Sequence, residues 1–178
     1  MMKLFISALL LLFLSPDISE EEKIIWDENR KLTWADFKGV PSGPLDFVAS
    51  TNSGVSFSFS YKERNGVGTI DYTVLSNFYP VLSWYRPSKV SAYILEHEQM
   101  HFDISELCAR KLRKSLSNVP RNRNFKENTE VIYQENEAYR RELQTRYDIE
   151  SDHSNNKEEE YKWRVYIAEQ LEVYGSWK

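Results

Sequence analysis

Two hydrophobic periods share this chain, and the boundary between them falls between Tyr85 and Ser88. Before it, apolar residues recur in short runs broken by Gly, Pro and Asn: KIIW, KLTWADF, GVSFSFSY, GTIDYTVL and FYPVLSWY. In GVSFSFSY, Val55, Phe57 and Phe59 share one face and serines the other, the alternation of a half-buried strand. TIDYTVL alternates likewise, and RNGVG between the two reads as a hairpin turn. After Ser88 the period lengthens, and helices are expected over about 88–117, 128–150 and 156–173. Ser88 is in place to cap the first, and Asn118 and Pro120 separate it from the second. The third opens with Glu158, Glu159 and Glu160, where negative charge suits the helix dipole. A sheet followed by helices in 178 residues makes one α+β domain, assigned to residues 20–178.

The N-terminus is read separately. MMKLFISALLLLFLSPDIS places one lysine before an apolar run from Leu4 to Leu14, too short to span a bilayer as a stable helix. Residues 1–19 are therefore expected to be a secretory signal, and the protein to be exported to the periplasm or the medium, with no stable membrane span after cleavage. No small-x-small pair marks a cleavage site, so an uncleaved anchor stays open. The single cysteine, Cys108, can form no internal disulfide and reads as a small buried hydrophobe.

A formal charge of -4 argues against nucleic acid as a partner, which demands a basic face. The local basic run from Arg110 to Lys126 is read as complementing the C-terminal end of the first helix, with an anion or lipid patch as the other reading. Aromatic residues make up 14% of the chain, enough to wall both a core and a cleft. Oligomeric state is not fixed by the sequence.

The chemistry concentrates in LEHEQMHFDI, residues 95–104, which holds two of the three histidines. On a helix, His97 and His101 are four apart and turned by only about 40°, so both imidazoles point to one place. Glu98, turned by about 100°, flanks that place. This is the content of H-E-x-x-H: two nitrogen ligands for Zn²⁺ and a carboxylate to take a proton from its water. The same residues continue an apolar stripe through Val90, Ile94, Ile104 and Cys108, so a packed helix with two core imidazoles is the plain alternative. A catalytic zinc takes three protein ligands. Ile104 and Leu107 stand where an extended motif would carry glycine and histidine, so the third comes from elsewhere. His153 is the first candidate, and Glu135 or Glu137 the second. Asp103 and Glu106 are candidates to orient an imidazole, and Tyr147 to assist at a developing oxyanion.

HEQMHFDISELCARKL, with KLTWADFKGVP and FYPVLSW upstream and YDIESDHS downstream, resembles the bacterial domain-of-unknown-function 922 family, over about Trp26 to Trp163. That family's members are predicted secreted zinc-dependent proteases. The resemblance implies a zincin-like fold: a small N-terminal sheet, a long active-site helix and two further helices. It also implies a cleft strand before that helix, here within TIDYTVLSNFYPVLSWY, where an extended peptide adds to the edge. In the family a histidine follows a Tyr-Asp pair and a Thr and precedes a Gly; here Tyr147 and Asp148 match, Ser151 stands for the Thr and Ser154 for the Gly, leaving His153 in register. The expectation is an exported zinc metallopeptidase with metal ligands His97, His101 and His153, catalytic base Glu98, and a peptide or protein substrate. The rival is an exported binding or scaffold domain that holds zinc without turnover.

Overall fold

The computed structural model describes residues 22–64, 67–122 and 124–178; the expected signal segment and the tip of the RNGVG turn lie outside the described residues. The two alternating runs become β3 (Ser53–Arg64) and β4 (Val67–Phe78), antiparallel along their whole length, with Ser53 opposite Phe78 and Arg64 opposite Val67. Their short β1 partner (Ile24–Ile25) pairs on the other edge of β4, giving the order β1-β4-β3. A separate two-stranded ribbon joins β2 (Ala49–Ser50) to β5 (Trp84–Tyr85). The strand content of the first half is therefore smaller than its alternation implies. In FYPVLSWY, Phe78 ends β4 and only Trp84 and Tyr85 form a strand of their own, because Pro80 lacks a donor and opens a 3₁₀ turn over Pro80–Leu82. KLTWADF folds as a 3₁₀ turn over Trp34–Asp36, where the Asp36 carboxylate accepts from the Thr33 N–H at 2.7 Å.

Three helices follow: α1 (Ala92–Ser117), α2 (Phe125–Glu150) and α3 (Lys157–Val173). The cap of α1 is Ser91, whose hydroxyl accepts from the Ile94 N–H at 3.3 Å; Ser88 is exposed, three residues short of it. Helix α2 begins three residues ahead of its expected start because Phe125 is buried against Ile70 and Val119, and Thr129 donates back to the Phe125 carbonyl at 2.8 Å. At the head of α3, the Asn156 side chain accepts from the Glu159 N–H.

The core forms around α1. Ile104, Leu107, Cys108 and Leu112 are fully buried, with Val55 and Val74 of the sheet, Leu143 and Tyr147 of α2, and Trp163 and Ile167 of α3 in the same cluster. Each such leucine contributes roughly 1.5–3 kcal/mol relative to exposure. Burial pushes the Cys108 thiol up to about 12, in keeping with a small core residue. A second cluster, Leu32, Phe37, Phe78 and Phe102, packs on another part of α1. A helix covered on so many sides must pair its own charges. Glu106 takes Arg110 at 2.9 Å and Arg113 at 3.1 Å, and these arginines donate onward to the carbonyls of Leu171, Val74 and Trp177. The basic run thus spends two of its arginines on interior ties rather than on an anion-binding surface. Among the described residues no helix is long and apolar enough to cross a membrane.

Candidate metal centre

His97, Glu98 and His101 lie in the N-terminal half of α1, and the two imidazoles stand edge to face with centroids 5.0 Å apart. Their shared focus is a residue from α2. Asp148 Oδ1 is 3.4 Å from His97 Nε2 and 3.1 Å from His101 Nε2. One ligand atom from each of these three residues lies within 4.8 Å of the others. Burial opposes charge on His97, but the Asp148 and Glu160 carboxylates outweigh it and push this group up to about 9. His101 is raised by the same contest between burial and Asp148. Burial alone would raise the Asp148 carboxyl; the hydrogen bonds from His101 and His97 instead hold it well below the usual carboxylate range.

Each ring is approached from behind by a different helix. Gln144, one turn before Asp148 on α2, meets His101 Nδ1 with its side-chain oxygen and donates from its amide nitrogen to the His101 carbonyl at 2.8 Å. An acceptor at Nδ1 keeps the proton there and leaves Nε2 as the ligand atom. His97 Nδ1 faces Glu160 Oε2 of α3 at 3.7 Å and is buried without a hydrogen-bond partner. Tyr147, fully buried, stacks on His97 at 4.6 Å and meets His101 edge-on. Its phenol is raised by burial and by the Glu160 charge.

His97, Glu98, His101, Gln144 and Asp148 form the floor of a cleft of about 1050 Å³. One wall is the stretch from Ser42 to Ser53, including β2; the other is the Arg140–Asp148 face of α2 with Asp152–Asn155. The expected cleft strand within TIDYTVLSNFYPVLSWY is not what lines it: only Trp84 of that segment reaches the cleft, while β4 pairs with β3 along its whole length and with β1 at Asn77 and Phe78. Arg86 and Lys89 hold the outer wall by donating to the carbonyls of Phe47, Ser42, Gly43 and Leu45.

The other residues singled out from the sequence are distributed as follows. His153 stands at the cleft, 55% exposed by side chain, with Nδ1 3.9 Å from Asp148 Oδ1 and its ring against Phe47. It sits in a run of three non-glycine residues with positive φ, Asp152, His153 and Ser154, a conformation costing about 1–2 kcal/mol per residue. Glu135 is exposed and Glu137 is taken by the Arg140 guanidinium through three contacts of 2.9–3.1 Å; neither joins the cluster. Asp103 accepts from Trp26 and Gln99, and Glu106 from Arg110 and Arg113, so neither orients an imidazole. Tyr147 backs the histidines and does not line the cleft. Three contributors went unread in the sequence: Asp148 as a cluster member, Gln144 and Glu160. The i, i+4 spacing of Gln144 and Asp148 puts both on one helix face, the one signal that was available.

The donor set suits zinc: two imidazole nitrogens and one carboxylate oxygen, with Glu98 Oε2 buried nearby and lacking any partner. No curated protein and no solved structure matches this chain. Residues 81–154, which carry the His97, His101 and Asp148 cluster and His153, match the family model described as bacterial protein of unknown function (DUF922).

Proposed function

We propose that this protein is an exported zinc-dependent peptidase of zincin-like architecture. One observation carries the reading: His97, His101 and Asp148 offer three ligand atoms within 4.8 Å of one another on the floor of a cleft, next to the unpartnered Glu98 Oε2. His97, His101 and Asp148 would hold the metal, with the two Nε2 atoms and Asp148 Oδ1 as the ligand atoms on offer. His153 is the other candidate for the third place. Zinc, when bound, supplies a Lewis acid that polarises a carbonyl and makes water nucleophilic near neutral pH. Glu98 accepts the proton of the attacking water at Oε2 and returns it to the leaving amine. Gln144 keeps His101 in one tautomer throughout. The Ser42–Ser53 wall receives an extended chain, with Phe47 and Trp84 as apolar contacts for side chains. The N-terminal lysine and apolar run support export to the periplasm or medium.

The non-catalytic reading is favoured by one fact, the 3.9 Å between His153 and Asp148, since a closed four-ligand site would use both. Glu98→Gln separates the two. The test incubates zinc-loaded protein with a mixture of synthetic peptides and reads products by mass spectrometry. The peptidase reading expects cleavage by the wild type and none by Glu98→Gln at unchanged zinc content; equal cleavage by both overturns the mechanism.

A further inference from the structure

We propose that Glu160 of α3 is a positioning residue for this site: its carboxylate accepts the Nδ1 proton of His97 and thereby fixes that ring with Nε2 toward Asp148. The inference rests on the zinc reading above and extends the site beyond residues 81–154, the segment that the family match covers.

Glu160 is fully buried. A carboxylate so placed is costly unless its lone pairs are met. Oε1 is met by Arg164 at 2.5 Å, one helical turn on. Oε2 is met by the Tyr93 hydroxyl at 2.8 Å, from the first turn of α1. Arg164 is itself tied to Glu96, so the carboxylate is held from two helices. What remains is the side of Oε2 that faces His97 Nδ1 at 3.7 Å, and that nitrogen is buried with no other partner. Closing the gap to an ordinary hydrogen bond of about 2.9 Å takes a displacement under about 1 Å. The Tyr147 ring, stacked at 4.6 Å, holds the plane of the His97 imidazole, and an acceptor at Nδ1 keeps the proton there and leaves Nε2 as the ligand atom.

The two ligand rings are thus supported unequally. His101 rests on a neutral amide of α2, His97 on an anion of α3. An anionic acceptor raises the basicity of an imidazole more than an amide does, and outer groups of this kind are worth roughly 10–100-fold in metal affinity. A purely structural Glu160, serving only to tie Tyr93 and Arg164 together, would leave metal binding untouched.

The experiment uses the full protein. Zinc affinity is measured by chelator competition for wild type, Glu160→Gln and, as a control on an exposed carboxylate of α2, Glu135→Gln, and the imidazole nitrogens of the zinc-loaded forms are read by ¹⁵N NMR. The expected result is a roughly 10–100-fold loss of affinity in Glu160→Gln, with His97 no longer in a single tautomer, while Glu135→Gln stays near wild type in both readouts. Wild-type affinity and an unchanged His97 pattern in Glu160→Gln overturn the proposal and leave the zinc reading intact. Wild-type protein that takes up no zinc removes both. Should Glu160→Gln fail to fold, the zinc-loaded wild type still decides: a proton on His97 Nδ1 supports the assignment, and metal on Nδ1 overturns it.

Discussion

Metal-free protein taken from pH 6.5 to about 9.5 is expected to lose up to about 3 kcal/mol of folding stability. The magnitude follows from His97, whose group moves from 6.5 to about 9 on folding, at about 1.4 kcal/mol per unit. A folded value above the unfolded one means the contribution is complete below 6.5 and disappears as the pH rises through about 9. The lowered Asp148 carboxyl is the same interaction seen from its partner and is counted once. Because the Asp148 side chain is 30% exposed, water screens the pair and the figure is an upper value. Urea unfolding followed by tryptophan fluorescence at the two pH values reads the difference, with Asp148→Asn alongside. The variant lacks one of the two carboxylates that raise His97, Glu160 being the other, so its stability should change less over this window. Equal wild-type stability at both pH values, or an undiminished slope in Asp148→Asn, refutes the reasoning. The same protonation implies that zinc binding at pH 7 expels protons, visible as a dependence of the binding heat on buffer ionisation enthalpy.

Three further outcomes are expected. Ser91→Ala should cost about 1 kcal/mol by removing the cap at the Ile94 N–H, while Ser88→Ala stays within about 0.5 kcal/mol, both by urea unfolding. Gly39→Ala should destabilise by about 1–3 kcal/mol in the same assay, since a Cβ there would meet the carbonyl oxygens of Ser83 and Val81 at 2.9 Å, both of them backbone. Gln144→Leu removes the acceptor behind His101 and should weaken zinc binding roughly 10–100-fold by chelator competition.

The β3–β4 hairpin was legible because its alternation is local: Val55 and Val74 meet the core while Ser58 and Thr73 face out. The H-E-x-x-H pair was legible because helix geometry alone converges two imidazoles. What resisted reading depends on contacts distant in sequence. Ser88 and Ser91 are both plausible caps, and the choice falls to where the Arg86–Lys89 turn ends. Phe125 starts α2 early because Ile70 and Val119 offer it a pocket. Asp103 and Glu106 sit close to His101 in sequence but point to Trp26 and Arg110, whereas Gln144 and Glu160 reach the rings from 43 and 63 residues away along the chain. Carboxylates on polar helix faces look alike in sequence; only packing distinguishes Glu135 in solvent from Glu160 in the interior.

The central claim is tested most directly by counting zinc in the purified protein, with His97→Ala, Asp148→Asn and His153→Ala prepared in parallel. One equivalent in wild type, lost in His97→Ala and Asp148→Asn, is the expected result; retention in Asp148→Asn with loss in His153→Ala gives the third position to His153. No zinc in the wild type, even after reconstitution, would contradict the account and leave α1 a packed helix that carries two imidazoles.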